Sequence, residues 1–217
     1  MKTTISAVFM ALFTVLTVGA FGDSFYSVAG GYHRFDEQFP EEDYGRDVEG
    51  GDFLIMLNYY PEEVPIGWFI RTSFGGNLTG LEWKGRTMSQ IDTYGSSEIQ
   101  ISAGPSYRLK LGRIIHLPIS LGPVFSIIRE EGYSYADDYS SFLSSLNLGL
   151  LLDVSLIINP FKAFSIVNGL YTSFDFLHWE RGFMSGKFRT INSGKFDFKQ
   201  YTGFKVGFYL GVGLHFD

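Results

Sequence analysis

The chain has no cysteine, so neither a disulfide framework nor a thiolate metal site can hold it together. Charge is also sparse. Asp, Glu, Lys and Arg make up 18% of the residues, well short of a disordered composition. The formal net charge is −6, which argues against a nucleic-acid partner, since phosphate backbones call for basic patches. Beyond the N-terminal segment no uncharged apolar stretch of about 20 residues occurs, so no membrane-spanning helix is expected. The nearest candidate, 146–158, is interrupted by Asp153 and alternates in polarity. The four histidines have no ligand-like spacing, and neither a metal nor another cofactor is expected.

What the chain does have is glycine (26 residues) and aromatics (18%), arranged in short alternating runs of the kind that build β-barrels. Its start reads differently. Lys2 precedes an apolar segment, 5–18, and small residues follow. That is the pattern of an export signal, with cleavage after Ala20 or after Gly22. The expected division is therefore a signal peptide, 1–22, and one barrel domain, 23–217.

The last run sets the pattern. In 201–216, Thr202, Phe204, Val206, Phe208, Leu210, Val212, Leu214 and Phe216 occupy one face, while Gly203, Lys205, Gly207, Tyr209, Gly211, Gly213 and His215 occupy the other. A period of two is a strand. Seven more such runs are found, at 25–35, 52–60, 66–75, 98–109, 114–128, 142–156 and 163–176. The connections between the eight alternate strictly: 36–51 long, 61–65 short, 76–97 long, 110–113 short, 129–141 long, 157–162 short and 177–199 long. All long loops then fall at one end, as in an outer-membrane barrel with short periplasmic turns. Prolines 105, 118 and 123 sit within runs, and Asn168 sits on an apolar face, so bulges or shifted limits are expected there.

With the short turns placed below, the outward aromatics form two bands. Tyr26, Tyr59, Trp68, Tyr107, Phe164 and Phe216 fall near the lower ends, and Tyr32, Phe53, Phe74, Phe174, Phe176 and Phe204 near the upper ends. Aliphatic residues lie between, as in the girdles of a bilayer-spanning barrel. The expected fold is all-β: an eight-stranded antiparallel up-and-down transmembrane β-barrel.

These runs, this banding and a last strand with a terminal aromatic resemble the small bacterial outer-membrane barrels of the OmpW and OmpX type. The resemblance covers the mature chain and lies in architecture. It implies residence in the outer-membrane bilayer and assembly by the outer-membrane machinery, with the Phe216 end as the element read. The usual terminal aromatic is here followed by Asp217. It also raises passage of small hydrophobic molecules sideways into the membrane.

Eight strands enclose room for side chains or one small ligand. The inward faces carry Arg71, Glu98, Arg108, Asp153, Asp175 and Lys205, expected as a plug of ion pairs because buried charge must be paired. Leu54, Met56, Val124, Ile128 and Leu143 also face inward, suggesting an apolar upper lumen that could hold a hydrophobic solute above the charged plug. His33, Ser173 and Asp175 near the outer rim have no spacing that assembles a catalytic triad, and no enzyme is expected. The first long loop is acidic (Asp36, Glu37, Glu41, Glu42, Asp43, Asp47, Glu49 and Asp52, with Arg46 opposing) and the last is basic (Arg181, Lys187, Arg189, Lys195, Lys199). They should attract and partly cap the mouth. The expected function is passive passage or binding of small hydrophobic solutes through a narrow, partly plugged lumen; the alternative is a surface-exposed adhesin or structural anchor that acts on a host or matrix ligand through these loops.

Overall fold

The computed structural model describes residues 22–40, 44–62, 64–79, 82–83, 86–87, 93–134, 139–161, 163–185 and 191–216. The expected export segment lies outside them apart from Gly22, as do Glu41, Glu42, Asp43, Lys187 and Arg189. The strands are β1 (Gly22–Phe39), β2 (Tyr44–Pro61), β3 (Ile66–Thr79), β4 (Glu82–Trp83), β5 (Arg86–Thr87), β6 (Thr93–Lys110), β7 (Ile115–Ser134), β8 (Tyr139–Phe161), β9 (Phe164–Ser185), β10 (Ile191–Lys199) and β11 (Thr202–Phe216). β4 and β5 form a small separate hairpin.

Eight strands close into a ring in the order β1-β2-β3-β6-β7-β8-β9-β11, and β11 pairs back onto β1. Every pairing in the ring is antiparallel, and each joins successive strands of the ring in chain order apart from the β11–β1 closure. One ladder rung can be followed right round: Ser27, Met56, Arg71, Ser102, Val124, Gly149, Asp175, Gly203, and back to β1 at Glu37. The return point is ten residues up the strand (37 − 27). That stagger obliges the strands to tilt by about 40° from the barrel axis.

All eight expected runs are strands, but most continue well past their expected outer ends. β7 runs to Ser134 rather than 128, and β9 to Ser185 rather than 176. There the outward positions turn polar, as with Arg34, Asp36 and Gln38 on β1 and Arg129 and Glu131 on β7. Period two persists, but the contrast between the faces is gone. Much of each expected long loop is therefore strand. β10, inside the last of them, pairs with the top of β9. The three connections at the other end, 62–65, 111–114 and 162–163, are short. In the second, Gly112 has φ +88, a left-handed conformation suited to a residue without Cβ.

The prolines produce no bulge. β6 and β7 keep one register on both sides of Pro105 and Pro123, and β7 and β8 keep one on both sides of Pro118. Only ladder bonds are lost, as a missing N–H requires. No bulge occurs at Asn168 either. It stays in register between Leu156 and Leu210, exposed on the outer face. The bulge on β9 is at Phe176, where Leu177 pairs with Leu148 but Asp175 with Gly149.

The outer face is the apolar one. Val28, Ile55, Ile70, Ile101, Leu121, Leu150, Leu152, Ile166, Leu170, Val206, Leu210 and Val212 are all exposed. At the lower border Tyr26 packs edge-on against Phe216, with ring centroids 5.5 Å apart, and Tyr59 lies 5.4 Å from Trp68. At the upper border Tyr32, Phe53, Phe74, Phe174, Phe176 and Phe204 are exposed. If hydrocarbon is the solvent of this face, Leu210→Arg lowers the unfolding free energy in vesicles by about 2–4 kcal/mol. Asn168→Leu raises it by about 1–2 kcal/mol, because an amide facing lipid lacks water. Denaturant titration in phospholipid vesicles measures both, and an unchanged Leu210→Arg would contradict the assignment of that face.

Candidate functional site

The barrel interior holds nearly all the chemistry. Arg71, Glu98, Arg108, Asp153, Asp175 and Lys205 all point into it, and none is more than 5% exposed. They do not form one plug but three stacked layers, because the strands deliver them at different levels.

In the lower layer Arg108 pairs with Asp23, and Lys110 reaches the same carboxylate at 3.0 Å. The Arg108 guanidinium lies 4.3 Å above the Tyr60 ring. Tyr60 shares a 2.6 Å hydrogen bond with Ser106, and Ser106 another of 2.8 Å with Ser120. Phe25 stacks on His215, with centroids 4.4 Å apart, and has His116 at 5.1 Å. The floor is thus aromatic and cationic, neutralised in part by Asp23.

The middle layer spans the bore. Arg71 lies 3.8 Å above the Tyr171 ring and 4.0 Å from Asp153. Tyr209 donates to Asp153 at 2.8 Å. Tyr171 donates to Asp52, whose carboxylate is also 2.9 Å from Nδ1 of His33. The two tyrosines sit on glycines. Tyr171 faces Gly207 across the ladder, and Tyr209 faces Gly169. A Cβ at Gly207 would meet the Tyr171 ring at 2.5 Å, and one at Gly169 would overlap the Tyr209 ring. Glycine in these strands therefore makes room for a ring from the neighbour to fold flat across the bore.

In the upper layer Lys205 pairs with Glu98, and its Nζ lies 4.9 Å from the Phe35 ring. Tyr201 donates to Glu37 at 2.9 Å and stacks on His178 at 4.5 Å. His178 is 2.7 Å from Asn147 and 3.4 Å from Glu180. Asn147 lies 3.5 Å from Asp175.

The expected vertical division is not what the interior contains. Leu54, Met56, Val124, Ile128 and Leu143 are inward and buried, but they are interleaved with charge. Met56 pairs directly with Arg71, Ile128 with Glu98 and Leu143 with Glu130. Leu54, Met56 and Val124 belong to the buried apolar cluster with Phe69 and Leu151, which Ile128 and Leu143 do not join. Carboxylates crowd the upper half as well: Glu37, Asp52, Glu98, Glu130, Asp175 and Glu180 are all buried there.

Sequence reasoning missed several of these. Glu37 and Asp52 read as part of the acidic loop, and His178 and Glu180 fall in the long connection 177–199. The strands' continued period two would have placed Glu37 and Asp52 inside. For His178 and Glu180 nothing local would have sufficed, because the bulge at Phe176 inverts the parity of everything after it. Of the expected loop–loop cap, Arg181, Lys195 and Lys199 lie on β9 and β10. Arg181 stacks on Phe196 at 4.6 Å. On the acidic side Asp47 pairs with Arg34 of β1. Asp36 and Glu37 lie on β1 and Glu49 and Asp52 on β2, while Glu41, Glu42, Asp43, Lys187 and Arg189 lie outside the described residues. Among the described residues His33, Ser173 and Asp175 form no triad: His33 bonds Asp52, and Ser173 Oγ takes no hydrogen bond there.

No family model matches the chain, and no curated protein matches it in sequence. Solved structures do resemble it. A major outer membrane protein from Thermus thermophilus superposes with a TM-score of 0.53 at 17% identity, over 89% of this chain and 99% of that one. Neisserial surface protein A gives 0.45 at 17% identity, over 89% and 98%. Ail, the attachment invasion locus protein of Yersinia pestis, gives 0.44 at 18%, over 90% and 99%. The Thermus likeness agrees with the closed ring of strands. The chain is an eight-stranded antiparallel β-barrel of the bacterial outer-membrane kind. Within that kind it has the small, single-ring architecture with an interior filled by its own side chains.

The buried pairs make a prediction. Lys205→Met leaves Glu98 uncompensated and costs about 3–5 kcal/mol, whereas Lys205→Met with Glu98→Gln recovers most of the loss. A double-mutant cycle of denaturant unfolding in micelles measures the coupling. Additive losses would mean that the two charges do not depend on each other.

Proposed function

We propose that this barrel is a closed anchor that acts at the outer cell surface, as an adhesive or structural protein, without catalytic activity. The observation that carries the reading is the middle layer. Arg71, Tyr171, Tyr209 and Asp153 lie across the bore within 4.0 Å contacts, among the packed side chains of Leu54, Met56, Phe69, Val124 and Leu151. An ion path needs continuous water, and an eight-strand bore is only just wide enough for the side chains that occupy it. The strands continue past the upper aromatics, so the exposed outer ends and their loops are the surface left for a partner.

The same reading includes export. Residues 1–22 act as the signal, 23–217 form the barrel, and the outward Phe216 near the C-terminus serves the assembly machinery as its recognition element. Passage or binding of a small hydrophobic solute is the competing reading. It draws on Leu54, Met56 and Val124, which form a continuous buried apolar group. That route requires the middle layer to move aside.

Vesicle experiments separate the two. Reconstituted protein is expected to pass neither ions nor a hydrophobic fluorescent probe. Replacing Tyr171 and Tyr209 together by Ala opens a measurable ionic leak, because the bore then loses both rings. Shortening the outer loops abolishes binding of whole cells to host or matrix surfaces without affecting the vesicles. Wild-type uptake of the hydrophobic probe, lost in Met56→Lys or Val124→Lys, would overturn the closed-anchor reading in favour of solute passage.

A further inference from the structure

The outer face changes character between two adjacent ladder rungs. One rung reads Phe53, Phe74, Ile99, Ile127, Leu146, Trp179 and Phe198, apolar on every strand it crosses. The next rung outward on β6 to β9 reads Ser97, Arg129, Ser144 and Arg181. Beyond it stand Glu131, Phe142 and Phe183. Arg129 and Arg181 are therefore separated by one strand, about 10 Å at two inter-strand spacings, with a serine hydroxyl between them. Both are exposed and face away from the bore. Among the described residues neither forms an ion pair. Arg181 instead stacks on Phe196, which with Phe198, Phe183 and Phe142 stays exposed beside it.

The opposite side of the barrel differs. There the outward positions above the apolar band are Asp36, Asp47 and Glu49, with Arg34 already held by Asp47. The border is thus basic and aromatic on β7 to β10, and acidic on β1 and β2.

We propose that the β7–β10 face seats the phosphorylated headgroup of an outer-leaflet lipid. Arg129 and Arg181 donate to the phosphate oxygens from both sides, and Ser144 donates between them. Guanidinium groups suit this task because their donors match phosphate oxygens in pairs. The acyl chains lie below, against Ile127, Leu146 and Trp179, so one molecule satisfies both rungs. This continuity of an anion site with an apolar wall favours a lipid over a free anion, which would use only the upper rung. Phe183, one rung above, and Phe196, stacked on Arg181, flank the headgroup and restrict its lateral escape.

The test uses the whole barrel in phosphatidylcholine nanodiscs, with a few per cent of either an acylated diglucosamine lipid carrying two phosphates or the same lipid dephosphorylated. Thermal unfolding and native mass spectrometry are the readouts. The phosphorylated lipid is expected to raise the midpoint by several degrees and remain bound, whereas the dephosphorylated form and inorganic phosphate do neither. The double variant Arg129→Gln/Arg181→Gln should weaken retention about tenfold or more, and Arg34→Gln on the acidic side should leave it unchanged. Both replace exposed side chains, and unfolding without lipid checks that each folds. Equal retention in the double variant, equal loss in Arg34→Gln, or equal stabilisation by the dephosphorylated lipid would each overturn the proposal.

Discussion

A backbone placed in hydrocarbon must satisfy its own hydrogen bonds, and a sheet does this only by closing on itself. The β11–β1 ladder completes that closure, running from Ser24 opposite Phe216 to Gln38 opposite Thr202. Much else follows from it. Eight strands with a ten-residue stagger fix the bore at side-chain width. The solvent outside is lipid, so the apolar face turns outward and the polar face has nowhere to go but in. The three prolines are tolerated because each costs local ladder bonds without shifting the register that the ring depends on.

A narrow polar interior must neutralise itself. The chain does so with a mixture of ion pairs and rings. Lys205 meets Glu98 and Arg108 meets Asp23 directly, whereas Arg71 is met by a tyrosine face and a carboxylate 4.0 Å away. The rings lie flat because glycines across the ladder leave room for them. Small and large residues therefore alternate from Gly203 to Gly211 on the inner face of β11 for a packing reason, and the result is an interior whose layers brace one another across the bore.

The outer surface is not uniform around the ring. Tilt carries the apolar band obliquely upward from β2 toward β10, where it ends against arginines and exposed aromatic rings. On β1 and β2 it ends against carboxylates. A barrel of this kind presents different sides to the lipids around it, so its neighbours and its orientation within the leaflet are matters of chemistry as well as of thickness.

The eight strands, their inward and outward faces, the girdles and the six interior charges were legible in the sequence, because lipid outside and a filled bore inside impose period two with strong contrast. Where both faces become polar, as beyond Ile128 on β7, that contrast fades and the strand reads as loop. The parity of His178 and Glu180 depends on one bulge, which no local pattern announces. Which charge meets which also lay beyond the sequence: Tyr171 and Asp52 are 119 positions apart, and only the register of ten residues per turn of the ring brings them together. The sequence by itself determined which residues face lipid and which face the bore, since side-chain alternation is a property of a single strand. Only the closed structure decided the layers of the bore and the basic rung on β7 to β9, since both arise from the stagger between strands.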